Sequence, residues 1–260
     1  PKVVSLITGL GNIFMEENKR SLVSKIGIIL YKISMFCSDI VFFQNEDDQT
    51  LFLKKNMVKK EKVRLVNGSG IDLCHYAFKG PTFKPFRFIF VGRLIRQKGI
   101  IEYMNAAKEL KKKYPNVLFS VAGGPYNQTS SLTKEEINEL KMGGYIDYLG
   151  EVEDIRDVLS KASVFVLPSY REGTSRATLE AMAVGLPIIT TNAPGCRQTV
   201  EEGVNGYYVN PRSSKDLYKK LLRCIEDKSD QLIRMGRQSR RIVERKYDLD
   251  IINHKIIESL

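Results

Sequence analysis

Between Ser163 and Thr191 the chain sets out a strand, a turn of small residues, a helix and a second strand with almost nothing between them, and this unit constrains the fold most. Ser163 to Pro168 (SVFVLP) is a short apolar, β-branched run of the kind that lies buried in a sheet, closed by Pro168 and Ser169. Gly173, Thr174 and Ser175 are small, hydrogen-bonding residues that suit a helix start. Thr178, Leu179, Ala181, Met182 and Ala183 carry the helix on until Gly185 and Pro187 stop it. Ile188, Ile189 and Thr190 then read as the next strand. Strands alternating with helices belong to a parallel sheet covered by those helices.

The same alternation runs through most of the chain. Lys2 to Thr8 (KVVSLIT), Asp39 to Asn45 (DIVFFQN) and Lys62 to Val66 read as strands, separated by a helix over Ser21 to Phe36 and a charged helix over Glu46 to Lys55. Gly9, Leu10 and Gly11 offer G-x-G, but Phe14 stands where a dinucleotide fingerprint needs its third glycine, so a turn is expected. Residues 72–85 carry two prolines, a glycine and no periodicity, and read as a linker. Beyond it, six strands are expected, from Phe86–Val91 to Gly206–Val209. The expected fold is therefore α/β: a complete Rossmann-like doubly wound parallel sheet over 81–246, preceded by a partial Rossmann-like domain with its linker over 1–80 and followed by a terminal helix over 247–260. Because Lys2–Thr8 starts directly after Pro1 with nothing before it to pair with, the first sheet is expected to be part of a larger one and its open edge prone to self-association.

Lys and Arg number 41 against 30 Asp and Glu, a net charge of +11, so the expected partner is anionic: nucleotide, phospholipid surface, polyphosphate or nucleic acid. Basic residues spread out rather than clustered with aromatics argue against nucleic acid. Cys37, Cys74, Cys196 and Cys224 lie far apart, as do His75 and His254, which argues against a zinc site or a disulfide framework and for reduced thiols in the cytoplasm. There is no apolar run of about 18 residues or more and no signal-peptide pattern. The helix over Ser21 to Phe36 places Leu22, Val23, Ile26, Ile29, Leu30, Ile33, Met35 and Phe36 at roughly helical spacing, interleaved with Lys25 and Lys32 and preceded by Lys19 and Arg20. Such a helix either covers the sheet, the expected role, or rests on an anionic membrane.

A glycine-bearing turn leading into a helix N-terminus presents unpaired backbone N–H groups and a positive dipole end, so the turn at Gly173–Ser175 is expected to face a phosphate. Glu172 precedes the helix and Glu180 lies two turns into it, so the two do not form a close acid pair on one helical face. Each is expected to accept hydrogen bonds from hydroxyls on a different part of one ligand, which suits a sugar nucleotide. Asp248, Leu249 and Asp250 form a D-x-D that directly precedes a helical run, and helix capping accounts for it.

The run EGTSRATLEAMAVGLPIIT, from Glu172 to Thr190, resembles the signature of the retaining family 4 glycosyltransferases of the GT-B fold. GRLIRQKG, from Gly92 to Gly99, is similar to the family as well, and TGLGNIF and VFFQNEDD resemble segments of bacterial polysaccharide transferases. The resemblance implies that Glu172 contacts the transferred sugar, that Gly173, Thr174 and Ser175 lie along the sugar and diphosphate, and that Glu180 holds the ribose hydroxyls, with Thr178 and Leu179 completing this part of the donor site. It implies that Arg93 and Lys98, following Gly92, bind the diphosphate, where fixed cations stabilise the charge that grows on a departing phosphate. Gly123 would let a ligand approach the backbone, and Gly150, Glu151 and Val152 would border the base. The implied activity is metal-independent transfer from a UDP-sugar, with retention, to a glycan or lipid-linked glycan in polysaccharide or lipopolysaccharide biosynthesis. Glu172, Arg93 and Lys98 would be the catalytic residues, no cofactor would be required, and the location would be the cytoplasm, with peripheral contact at the inner face of the membrane. The family's acceptor-side glycine-rich loop and cleft histidine have no counterpart here. That leaves open a nucleotide-sugar-binding module without catalysis, and the isolated chain is expected to bind donor but transfer little.

Overall fold

The structure is a computed structural model that describes residues 2–14, 22–126 and 131–260. Pro1 and Ser21, which enter the expectations above, lie outside those residues. The first sheet consists of β1 (Val4–Ile7), β2 (Ile40–Phe43) and β3 (Val63–Leu65), all parallel and in that order, with Val4 opposite Ile40 and Val41 opposite Val63. Helix α1 (Leu22–Cys37) links β1 to β2, and α2 (Glu46–Lys54) links β2 to β3. The start of α2 is written locally: Asn45 Oδ1 accepts the Asp48 amide, and Glu46, Asp47 and Asp48 set negative charge on the dipole's positive end.

The second sheet holds β4 (Arg87–Val91), β5 (Leu118–Ala122), β6 (Asp147–Gly150), β7 (Val164–Leu167), β8 (Ile188–Thr191) and β9 (Gly206–Val209). Their order is β6-β5-β4-β7-β8-β9, all parallel, so the chain works outward from β4 in one direction and then from β7 in the other. This is the doubly wound Rossmann arrangement. Helices α3 (Ile100–Lys113) and α7 (Ser214–Glu226) pack together, as do α5 (Ile155–Leu159), α6 (Arg176–Val184) and α8 (Ser229–Lys246), while α4 (Lys134–Met142) covers β6. The middle strands read as continuous apolar runs because both faces are covered: every residue of β7 and β8 is buried. The Tyr103 hydroxyl, fully buried on α3, donates toward the carbonyls of Phe88 and Ser120 at 3.1 and 3.2 Å.

One segment behaves differently from its sequence appearance. Residues 72–85 are packed against the second sheet's half: the Lys79 and Gly80 amides both donate to the Val184 carbonyl at 2.9 Å, the Thr82 amide donates to Ala162, and Tyr76 is buried. Aperiodic sequence hides this, because these contacts use backbone groups and one side chain rather than a repeating face. The terminal helix α9 (Leu249–Glu258) begins at Asp248, whose carboxylate accepts the Asp250 amide, so the D-x-D is a helix cap. It returns to the first sheet, where Ile256 packs on Ile40, Phe42 and Val66.

Candidate active site

In a doubly wound sheet the crevice that accepts ligands opens where the strand order reverses, beyond the carboxyl ends of the two strands that flank the reversal. Here those strands are β4 and β7, and their following loops carry Gly92–Gly99 and Pro168–Ser175. The β4 loop closes with a single 3-10 turn, Arg96–Lys98, ended by Gly99 at φ 73°. A Cβ on Gly99 would lie 2.2 Å from the Pro168 carbonyl oxygen, so only glycine lets the two loops meet. The Tyr170 amide then donates to the Gln97 carbonyl at 2.8 Å. This packing brings Lys98 Nζ to 2.6 Å from Glu172 Oε1, with side-chain exposures of 17% and 12%. An ammonium has three donors and a carboxylate two oxygens, so the pair keeps bonding capacity for a ligand. Beneath it lies Cys196, whose thiol is pushed up to about 12 by burial and, secondarily, by the Glu172 charge.

Arg93 stands apart from this pair, exposed, with its guanidinium 4.4 Å from the centre of the Tyr126 ring. Beside it, Gly123 is shaped by the protein itself: a Cβ there would lie 1.9 Å from the Gly92 carbonyl oxygen, and its amide donates to Gly150 at 2.7 Å. The Glu151 carboxylate sits where a side chain on Gly124 would be, and Val152 packs on the apolar core.

At the start of α6, Ser175 is the cap, its Oγ accepting the Thr178 amide at 3.3 Å and its carbonyl accepting Leu179 at 3.1 Å. The amides ahead of Thr178 have no acceptor within the helix, as at every helix start. The side chains of Thr178 and Leu179 are buried, Leu179 within the core, and both amides are engaged by Ser175. Glu180 is held on one oxygen: Oε1 accepts from Tyr76 at 2.9 Å and from Arg176 Nε at 3.1 Å. Burial and the neighbouring carboxylate push the Tyr76 hydroxyl up to about 12, so it remains the donor at neutral pH.

The loop at Gly173 and Thr174 is also the seam between the two sheets. Asn45 Nδ2 donates to the Gly173 carbonyl at 2.8 Å, and Thr174 Oγ1 donates to the Gln44 carbonyl at 3.2 Å. Arg171 donates to the fully buried carboxylate of Asp48, which burial raises above its ordinary range against the pull of that guanidinium. Glu172, Lys98 and the start of α6 are thus brought together and Glu180 lies on the same helix, whereas Arg93 and the Gly150–Val152 segment lie along the neighbouring strand ends. Sequence reasoning missed Tyr76, Asn45 and Asp48. Asn45 and Asp48 lie within the quoted VFFQNEDD segment, where an asparagine ahead of three acids is a helix-start signal; Tyr76 carried none.

The sequence model of the family described as Glycosyl transferases group 1 matches residues 77–242, which takes in the whole second sheet and both glutamates. The chain belongs to that family. Within it, the N,N'-diacetylbacillosaminyl-diphospho-undecaprenol alpha-1,3-N-acetylgalactosaminyltransferase of Campylobacter jejuni is 28% identical over 89% of this chain and 63% of its own length. The capsular polysaccharide biosynthesis glycosyltransferase CapM of Staphylococcus aureus is 26% identical over 86% of this chain and 62% of its own. The chain therefore spans somewhat under two thirds of these relatives. Among solved structures, HepE of Anabaena in complex with UDP-glucose superposes with a TM-score of 0.81 at 21% identity, covering 99% of this chain and 71% of that one. The fold is GT-B, with two Rossmann-like units whose carboxyl edges face each other across the seam. Among the described residues of this family member, no group of three or more His, Cys, Asp or Glu side chains is placed to hold a metal ion.

Proposed function

We propose that the second sheet binds a UDP-sugar and that the protein moves its sugar, with retention of configuration, onto a glycan or lipid-linked glycan acceptor during surface-polysaccharide synthesis. The observation that carries this reading is the Lys98–Glu172 pair at the point of strand reversal, 2.6 Å apart and largely shielded from water. Lys98 has donors left for the diphosphate, and the α6 amides lie beside it. As the glycosidic bond breaks, charge on the leaving phosphate grows against this fixed cation and dipole, which stabilises the transition state more than the bound donor. Arg93 adds a second cation from the side of Tyr126. Glu172 orients the sugar through its remaining acceptor capacity, and Glu180 Oε2 takes the ribose hydroxyls. Relatives named for transfer to diphospho-undecaprenol-linked sugars support the lipid-linked acceptor, and the Glu172–Thr190 signature supports retention. The test is a calorimetric titration with UDP. Because a hydrogen bond to a charged group contributes roughly 1.5–3 kcal/mol, Glu180→Ala is expected to weaken UDP binding about ten- to hundredfold. Unchanged affinity would remove Glu180 from the site.

A further inference from the structure

Helix α1 has two apolar sides, and the first sheet uses one. Ser24, Gly27 and Met35 are buried, Met35 in one cluster with Ile7, Val41 and Phe43 of the sheet, and Tyr31 packs edge-on against Phe14 and Phe52 with ring centres 5.7 and 5.4 Å apart. On the opposite side Leu22, Ile26, Ile29, Leu30, Ile33 and Phe36 are 49% to 80% exposed and form a stripe along the whole helix, about 24 Å at 1.5 Å per residue. Lys25 and Lys32 lie within that stripe, also exposed, and α1 contains no Asp or Glu. A cleft of about 770 Å³ continues the surface between the C-terminal half of α1 and the α2–β3 connection. Its walls include Ile33, Phe36, Leu53 and Val58, and Lys32, Lys59 and Lys60 stand at its rim. Lys62 ties the connection to the helix by donating to the carbonyls of Phe36 and Ser38 at 2.9 and 2.6 Å. Among the described residues the acids nearby are few: Glu61 faces the cleft, and the Asp39 carboxylate is held by the Val3 amide at 2.8 Å.

We infer that the outer face of α1, together with the lysine-rimmed cleft, docks on an anionic lipid bilayer. An apolar stripe interleaved with lysines and free of acids complements the depth profile of such a surface. The branched side chains enter the acyl boundary, while the lysine stems cover apolar area and carry their ammonium groups up to the phosphates. A protein partner is the poorer match, because the buried centres of protein interfaces are depleted in lysine. At 16 residues, and with no described helix long and apolar enough to cross a membrane, α1 lies in the surface plane rather than through it. The inference stands on α1 and the 53–62 connection and does not depend on the donor-site reading; if both hold, the cleft between the sheets is presented to acceptors anchored in the same bilayer.

The test is sedimentation of the 260-residue chain with vesicles of phosphatidylcholine alone and of phosphatidylcholine mixed with phosphatidylglycerol. The chain is expected to partition onto the mixed vesicles and to come off as salt is raised. Lys59→Ala combined with Lys60→Ala is expected to weaken that partition by roughly 25-fold, fivefold per lysine. Ile29→Glu combined with Ile33→Glu is expected to abolish it while circular dichroism and UDP titration stay unchanged, since both positions are exposed. Partition that ignores lipid charge, or a glutamate variant that binds as the unmodified chain does, would overturn the inference. So would two further results: light scattering that shows a dimer lost in the glutamate variant, which would make the face a contact between copies, or loss of vesicle binding when the chain is extended N-terminally to the length of its relatives, which would make it a seat for preceding chain.

Discussion

Around the second sheet, β7 and β8 are buried at every residue and α3, α6, α7 and α8 direct their apolar sides inward, whereas around the first sheet only β2 is buried throughout and Val4, Leu6 and the outer stripe of α1 remain open. The two units share one construction and differ in where their apolar surface ends up. The second closes on itself, so its carboxyl edge can be a rigid frame for the Lys98–Glu172 pair and the start of α6. The first meets its surroundings with apolar side chains. Ligand geometry belongs to one half, and open apolar surface to the other.

The sharpest way to break this contrast is to shorten one side chain in each half. Phe165 lies fully buried in the middle of β7, and Phe165→Ala is expected to cost about 3–5 kcal/mol in urea unfolding followed by far-UV circular dichroism. Ile29 is 57% exposed, and Ile29→Ala is expected to stay within about 0.5 kcal/mol. Comparable costs at the two positions would mean that the α1 stripe is packed against something in solution, and the contrast would fail.

A smaller effect tests how the frame is tuned. Tyr76→Phe removes one hydrogen bond to Glu180 Oε1 and leaves Arg176 in place, so UDP affinity is expected to drop about fivefold, matching a loss near 1 kcal/mol. Uridine should lose as much as UDP, because the contact concerns the ribose and not the phosphates. A drop confined to UDP would place Glu180 elsewhere on the ligand.

The smallest expected effect is chemical rather than energetic. Cys37 and Cys74 are exposed, Cys196 and Cys224 buried, and burial raises both buried thiols, Cys196 to about 12. A thiol reagent at neutral pH should label the two exposed cysteines rapidly and the other two only on unfolding. Fast labelling of Cys196 would show that the floor beneath Lys98 and Glu172 opens readily.

Much of this was legible in the sequence for a physical reason. Buried parallel strands must be continuous apolar runs, and helices between them must carry a 3.6-residue period, so β4, β7, β8, α1 and α6 could be read to within a few residues. The pairing of Lys98 with Glu172 was not legible, since the resemblance gave the two separate roles on the donor and the contact depends on two loops meeting at Gly99 and Pro168. The orientation of Thr178 and Leu179 could not be read from their place beside Glu180: both side chains turn into the core, and both amides are taken by Ser175. Thr174 was expected along the donor, and its hydroxyl is engaged by Gln44 across the seam, a contact between residues 130 apart. Tyr76 was illegible because a single buried tyrosine in an aperiodic stretch carries no pattern.

The central claim, that the crevice at the strand reversal holds the diphosphate of a nucleotide sugar, is tested most directly by titrating UDP and uridine in parallel against the unmodified chain and Lys98→Ala. Loss of a charge-assisted contact worth roughly 1.5–3 kcal/mol predicts UDP binding weakened about ten- to hundredfold, with uridine changed by less than about twofold. Arg93→Ala should show the same selectivity at a smaller size, since Arg93 is exposed and stacked on Tyr126. Equal losses for UDP and uridine, or UDP affinity untouched by Lys98→Ala, would contradict the account.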